Sequence, residues 1–311
     1  MDRVSDPRPR VIAAACTFHR NGPLESLLLR LAAHGERDHS SYSLGVVVVD
    51  DSADQLARPV VEQFADRFEL GATYVHSGKR NISIARNRLI ETAAERGDWI
   101  AMTDDDCEPS DHWIASFLAV QAATGADVVT GTLYRRAPEN APAWIRTQPF
   151  LDRDRFDTDD MARMDVAFTN NCFLRAAMIR KNPELRFRQD FGRIGGEDTV
   201  FFDQVARSGA DMRFAKNAVM YENEDEERLT LGYQMRRFFW YGNTSVLTSL
   251  QRGKTRPRMA IHALATIARA AVSPLQRLAK GDRPQLLYAA ANVLEGFGKL
   301  AAVGGLKVKH K

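Results

Sequence analysis

Trp99-Ile100-Ala101-Met102-Thr103-Asp104-Asp105-Asp106 runs from a short apolar stretch straight into three consecutive carboxylates. A brief continuous apolar run reads as a strand buried on both faces, here Asp98 to Thr103. Three adjacent acids repel one another, so a strand end that carries them needs a cation or hydrogen-bond donors nearby. Hard divalent cations take oxygen ligands and share them with substrate phosphates. The triplet is therefore a candidate site for a metal and a phosphorylated ligand. The competing reading is a solvated acidic turn ahead of a helix, with Pro109 near its first position and Ser110 or Asp111 as cap.

The flanking segments decide between the two. Val11 to Cys16, Val46 to Val49 and Ala72 to His76 are further strand-like runs. Helical spacing fills the gaps: Pro23 to Ala33, Ala57 to Phe68, Ile82 to Arg96 closed by Gly97, and Asp111 to Thr124. A strand from Asp127 to Thr130 follows. Strands alternating with helices mean an α/β fold with a mostly parallel, doubly wound sheet. Ligands bind such sheets beyond the carboxyl ends of the strands. Thr17, Asp50 with Asp51, and Asp104 to Asp106 all follow strand ends, so they should meet in one crevice.

Downstream, residues 135–165 are irregular, charged and punctuated by Pro138, Pro142 and Pro149, the pattern of a functional or mobile loop. Asp165 to Leu174 reads as strand, Ala176 to Arg180 as a short helix, and Glu197 to Gly209 as a helix behind the loop Phe191 to Gly196. Arg213 to Tyr221 is a last strand. Leu229 to Leu250 is helical, and Ala/Leu-rich helices with basic residues run from Met259 onward.

The 311 residues are 44% hydrophobic and 27% charged, enough for a full core, and the net charge of +3 gives no polyanion signal. The basic residues follow apolar helices rather than an aromatic-bearing sheet, so nucleic acid is not an expected partner. Cys16, Cys107 and Cys172 have no zinc-ligand spacing and are odd in number, which argues against a disulfide framework and for a reducing compartment. The start, Met1 to Arg10, is polar, and the apolar run Val11 to Cys16 is too short for the core of a secretion signal, so export is not expected. No stretch reaches the ~18 uncharged apolar residues of a spanning helix. Neither GxGxxG nor GxxxxGK[ST] occurs, so a nucleotide would be held by carboxylates and a metal instead of a phosphate loop.

Five segments together resemble the family 2 inverting glycosyltransferases of GT-A fold: Ala15-Cys16-Thr17-Phe18-His19-Arg20, Val48-Val49-Asp50-Asp51-Ser52, Asn81-Ile82-Ser83-Ile84-Ala85-Arg86-Asn87, Thr103-Asp104-Asp105-Asp106 and Gly195-Gly196-Glu197-Asp198-Thr199. They stand in the family's order over residues 10–245. Within the family the chain is most similar to transferases of bacterial exopolysaccharide assembly of the succinoglycan glucosyltransferase type. The resemblance implies a Rossmann-like sheet flanked by helices and a nucleotide-sugar donor, expected to be a UDP-hexose. It implies a nucleotide site of Thr17, Arg20, Asp50, Asp51, Asn81, Arg86, Asp104 and Asp105. Asp106 and Asp104 would hold Mn²⁺ or Mg²⁺, and Asp198 would be the general base with Glu197 beside it. Many relatives carry a histidine near the end of the last core strand; Tyr221 stands there in this chain, so the remaining ligand would come from Glu222 or from water.

A base on the acceptor hydroxyl is what inverting transfer needs, and a carboxylate within reach suits it. The glycines before Glu197 would let backbone approach a sugar; capping of the helix is the alternative use of both acids. Trp144, Phe150, Asn170, Asn171, Arg175 and Gly196 are the acceptor-side candidates, aromatic faces for stacking and amides for hydroxyls, with loop packing as the other use of Trp144 and Phe150. Residues 1–250 would form the catalytic domain (nucleotide half about 10–132, acceptor half about 133–250) and 251–311 a helical basic extension. That extension, with Arg252, Lys254, Arg256, Arg258, Arg269, Arg277 and the tail Lys307 to Lys311, and Arg236 and Arg237 just before it, suits contact with an anionic membrane. The acceptor would then be a saccharide or lipid-linked oligosaccharide met at the cytoplasmic face of the inner membrane. Two other functions fit parts of the pattern: a nucleotide- or sugar-binding module without catalysis, and a Mg²⁺-dependent phosphate-transferring α/β enzyme.

Overall fold

The structure is a computed structural model that describes residues 8–152 and 156–309. His310 and Lys311 of the basic tail lie outside the described residues. The chain divides into two compact units. The first comprises Met1–Tyr134, Arg155–Gly192 and Glu197–Glu222, and the second Arg135–Asp154, Arg193–Gly196 and Asn223–Lys311.

The first unit is built on an eight-stranded sheet. Its early half alternates strand and helix: β1 (Arg10–Thr17), α1 (Asn21–Arg37), β2 (Ser43–Asp50), α2 (Arg58–Glu62), β3 (Ala72–His76), α3 (Ile82–Arg96) and β4 (Trp99–Asp104). These four strands are parallel, with β1 between β2 and β4. Alternate residues serve opposite faces, as a pleated strand requires. Val11, Ala13 and Ala15 of β1 join a core with Leu24 and Leu28 of α1 and Val61 of α2. Ile12 and Ala14 join another with Leu89 and Ile90 of α3. The helix α3 has the extent its local signals predict: the Asn81 side chain accepts from the Ser83 and Ile84 amides, and Gly97 ends it.

The rest of the sheet is where topology departs from a parallel reading. It comprises β5 (Cys107–Pro109), β6 (Val128–Arg136), β7 (Asn171–Arg175) and β8 (Met212–Asn223), and the full order is β3-β2-β1-β4-β7-β6-β8-β5. β7 runs antiparallel to β4 and to β6, and β5 antiparallel to β8. The strands that run antiparallel to their neighbours here are β5 and β7. Cys107–Pro109 is an edge strand, so Pro109 does not open a helix; α4 (Trp113–Thr124) begins later, behind His112, without a side-chain cap from Ser110 or Asp111. A proline at the sheet edge costs no ladder hydrogen bond. The expected strand from Asp165 shortens to β7, and the helix expected over Ala57 to Phe68 breaks into α2 and a 3₁₀ turn, Ala65–Arg67. Two helices complete the second face of the sheet, α6 (Ala176–Lys181) and α7 (Glu197–Arg207).

The second unit is helical. A short α5 (Ala143–Thr147), inside the stretch read as irregular, packs Ile145 with Phe150 and with residues of α8 (Leu231–Gln251) and α10 (Leu286–Val303); α9 (Arg256–Ala279) lies between those two helices in sequence. Helix α10 meets α8 backbone to backbone. A side chain at Gly242 would stand 1.9 Å from the Glu295 carbonyl oxygen, and one at Gly298 2.0 Å from that of Phe239. This contact places residue 250, the domain boundary expected from the sequence, inside a single packed unit. Among the described residues, α10 alone is long and apolar enough to cross a membrane, and 39% of it is buried within the protein.

Candidate active site

The register of the parallel strands puts their last residues at one level. Thr17 pairs with Asp50, Cys16 with Asp104 and Asp50 with His76. The Asp51 amide then donates to the Thr17 carbonyl oxygen at 2.9 Å. Thr17, Asp50 and Asp104, the last residues of β1, β2 and β4 and at least 33 residues apart in sequence, therefore share one edge, as the switch-point rule requires.

Each acid there has defined partners. Thr17 Oγ1 donates to Asp105 at 2.7 Å, and the Arg20 guanidinium ion-pairs with Asp106 and reaches Asp105 at 3.5 Å. Asp50 is fully buried and accepts from the Ser52 amide (2.9 Å), the Ser52 hydroxyl (2.5 Å) and the Tyr74 hydroxyl (3.1 Å). Asp51 accepts from the amides of Lys79 (2.9 Å) and Asn81 (2.6 Å). Asp50 and Asp51 thus hold the loops bordering the crevice. The Asn81 side chain is occupied as the α3 cap and donates to the Gln189 carbonyl oxygen at 3.0 Å. A side chain at Gly192 would collide with it, at 1.8 Å.

The triplet is electrostatically loaded. Burial raises Asp105 to about 7, Thr17 and Arg20 opposing and Asp106 adding to the rise. Burial raises Asp104 to about 6, Arg86 opposing it while Asp106 and Glu222 add to it. The β5–β8 pairing sets Glu222 opposite Cys107, next in sequence to Asp106. Glu222 is buried, and Tyr221 stacks on Tyr134 with ring centroids 6.0 Å apart. Burial also pushes the Cys16, Cys107 and Cys172 thiols well up, and all three are free, so none is an activated nucleophile.

Arg86 is the hub. From α3 it ion-pairs with Glu197 at the start of α7 and donates to Asp104 Oδ1 at 3.3 Å. Burial opposes its charge, but Glu197, Asp104 and Asp198 together hold it even more firmly protonated. One buried cation thereby ties the aspartate triplet to the helix that carries Asp198. The Asp198 side chain is half-buried and accepts from the Thr199 amide at 2.6 Å. Gly195 and Gly196, both in the left-handed region at φ 84° and 82°, lead the chain into α7.

Comparison with known proteins names the family of a chain that gathers these acids. A model described as "Glycosyl transferase family 2" matches residues 15–188, more than half of the chain. The chain belongs to glycosyl transferase family 2. Among curated relatives, this glycosyltransferase is 31% identical over 232 residues to succinoglycan biosynthesis protein ExoM of Rhizobium meliloti (strain 1021), covering 74% of this chain and 72% of that protein. It is 23% identical over 179 residues to glycosyltransferase AglE of Haloferax volcanii, covering 56% and 55%. Its GT-A fold is shared with S. aureus TarS 1-349 (TM-score 0.54, 15% identity, 96% and 92% covered). It is shared too with mannosyltransferase PcManGT from Pyrobaculum calidifontis, solved with GDP-Man and Mn²⁺ (TM-score 0.57, 16% identity, 97% and 76% covered).

Several acceptor-side candidates of the glycosyltransferase have other employment. Asn171 is buried: its oxygen accepts from Trp113 Nε1 at 2.7 Å, and its amide donates to the Thr132 and Ala218 carbonyl oxygens, both at 2.9 Å. It locks β6, β7 and β8 together and has no amide group left for a sugar. Trp144 packs edge-on against Phe150 at 5.0 Å in the apolar cluster of the second unit. Arg175 pairs with Asp127 at 2.8 Å and covers the Trp99 ring. Asn170 is half-buried in the turn before β7. Arg237, counted among the membrane-facing cations, is buried instead; it pairs with Glu224 at 2.7 Å and donates to the Tyr241 hydroxyl.

One contributor escaped the sequence reading. The Trp240 ring lies where a side chain at Gly195 would sit, 2.1 Å from its Cβ, and Trp240 Nε1 donates to the Ile194 carbonyl oxygen at 2.7 Å. Glycine at 195 is thus required twice, by φ and by space. The only sequence signal was an aromatic run in a helix, which cannot reveal a contact 46 residues away.

Proposed function

We propose that the chain transfers a hexose, with inversion, from a UDP-hexose to a saccharide or lipid-linked oligosaccharide during assembly of a surface or exopolysaccharide, at the cytoplasmic face of the inner membrane. The observation that carries this reading is the Arg86 bridge, which joins the strand-end acids to the helix start bearing Asp198. The name of ExoM supports the exopolysaccharide assignment. TarS has been solved with UDP and PcManGT with GDP-Man and Mn²⁺, which supports a nucleotide-sugar donor.

In this reading Asp198 accepts the proton of the acceptor hydroxyl while its oxygen bonds to the anomeric carbon and the bond to the UDP oxygen breaks. Glu197, spent on Arg86, positions α7, and Arg86 presents its charge near the donor diphosphate. Thr17, Arg20, Asp50, Asp51 and Asn81 shape the nucleotide side by holding the loops there. Trp144, Asn170 and Gly196 remain proposed acceptor-side residues.

The acids suit a hard cation. Asp104, Asp106 and Glu222 are oxygen donors whose mutual repulsion, with burial, raises Asp104. Among the described residues no three His, Cys, Asp or Glu side chains already form a metal cage. That agrees with an ion held by one or two carboxylates and completed by substrate phosphates, as Mg²⁺ commonly is. Mn²⁺ or Mg²⁺ bound there would neutralise charge on the departing diphosphate.

Calorimetric titration of UDP, GDP and ADP, with and without Mn²⁺, tests the reading. Metal-dependent UDP binding is expected, weakened at least tenfold in Asp106→Ala. Preference for GDP would reassign the donor. Unchanged affinity in Asp106→Ala would remove that residue from the metal site. No binding of any nucleotide would overturn the donor assignment.

A further inference from the structure

Helix α9 buries one apolar face, through Met259, Ala263 and Ala270, and leaves a second apolar stripe in water. In that stripe Ile261 is 69% exposed, Leu264 58%, Val272 46%, Leu275 67% and Leu278 55%. At ~100° per residue these five fall within an arc of about 120°, one continuous stripe. Another side borders a groove of about 550 Å³ shared with α10, whose mixed lining includes Thr266, Ser273 and Gln276 from α9 and Asn292, Glu295 and Lys299 from α10. Within that groove Lys299 pairs with Glu295 at 2.9 Å and donates to Thr266 at 3.0 Å. A helix in water normally buries its apolar stripe and exposes its polar one. Apolar side chains exposed in a row mark a surface that something covers.

Charge identifies the cover. Between Gln251 and Gly281 there are seven Lys and Arg residues and no acidic one, and at ~100° per residue Arg256 and Arg258 fall about 40° beyond the two edges of the apolar stripe. A second copy docked by a two-fold axis would set these cations against themselves. An anionic bilayer satisfies both features at once: the stripe enters the acyl boundary and the flanking cations meet lipid phosphates.

We infer that α9 lies in the plane of an anionic membrane, apolar stripe down, and docks the enzyme there without spanning. The 24 residues give a contact line of about 36 Å. The docking element is α9 rather than α10, whose glycines are closed against α8 and α9 and whose charged pair faces the groove. The inference is independent of which nucleotide sugar is used, although a lipid-linked acceptor would give the docking its purpose.

Cosedimentation of the full chain with vesicles of phosphatidylcholine alone, or with 30% phosphatidylglycerol, tests it. The wild type should bind the anionic vesicles, and less well as salt is raised. Leu264→Glu with Leu275→Glu should weaken that binding at least tenfold, since both positions are exposed and the fold does not depend on them. Far-UV circular dichroism and calorimetric UDP binding of this double variant report folding and donor binding separately. A loss of vesicle binding with both retained supports the inference. Wild type that stays in the supernatant with anionic vesicles would overturn it, as would a double variant that sediments normally. A vesicle-free dimer that the double variant turns into monomer would assign the stripe to a second copy instead.

Discussion

Removing Arg86 should be costly, and removing it together with Glu197 should not. Both side chains are 10% exposed, and the pair joins α3 to α7 across 111 residues of sequence. Arg86→Met leaves the Glu197 carboxylate buried without its cation, a change worth about 3–5 kcal/mol in comparable buried pairs. Asp104 loses a partner too, a smaller cost than at Glu197, since its side chain is 39% exposed against 10%. Glu197→Met leaves Arg86 with Asp104 at 3.3 Å, so its cost should be smaller, about 1–3 kcal/mol. The double variant replaces the pair by apolar groups of similar length. It should return to within about 2 kcal/mol of wild type, for a coupling energy of at least ~2 kcal/mol. Urea midpoints and slopes for the four proteins give the cycle. The same samples should show no sugar transfer in the stable double variant, because α7 has lost its tie to the aspartates. Single effects that simply add, with coupling below ~0.5 kcal/mol, would refute the hub role of Arg86. So would normal transfer by the double variant.

Asp198→Asn should lower kcat by about 10²–10⁴-fold and leave donor affinity within a few-fold, as loss of a general base does; normal turnover would show that Asp198 is not the base. His34 is buried and its Nδ1 lacks a hydrogen-bond partner; burial first, then Arg37, lowers its pKa from 6.5 to about 4. A depressed group contributes stability above its unfolded pKa and loses it as pH falls through the folded one. Wild type should therefore lose about 3 kcal/mol between pH 6.5 and 4 from this residue. Thermal melts of His34→Leu should lack that limb, and parallel profiles for the two proteins would contradict the assignment. Asn171→Ala strips Trp113, Thr132 and Ala218 of their partner, so it should cost about 2–4 kcal/mol while acceptor KM stays unchanged. Normal stability with a raised KM would restore Asn171 to the acceptor site.

The site was legible in the sequence to the extent that its geometry follows from the parallel half of the sheet. Once Val11 to Cys16, Val46 to Val49 and Trp99 to Thr103 are parallel strands, the residues after them must share an edge. What Asp50, Asp51 and Asn81 do on that edge was not legible. Their partners, Tyr74, the Lys79 and Asn81 amides and Gln189, are set by loop paths that no periodicity records. Asn171 stood in a run of amides that suited a sugar, yet β6 and β8, arriving from distant segments, consume it.

By itself the sequence determined the strands and helices with strong local signals, such as α3 between Asn81 and Gly97, and the crowding of acid after β4. Hydrophobic period and end residues act within one element, so a single chain displays them. Tertiary structure alone decided the antiparallel entry of β5 and β7 into the sheet, the Arg86–Glu197 tie, the room for Trp240 at Gly195 and the apolar stripe that α9 leaves exposed. An amphipathic pattern states that a helix has two faces. Which of them is covered depends on what packs there, and those contacts come from residues far along the chain.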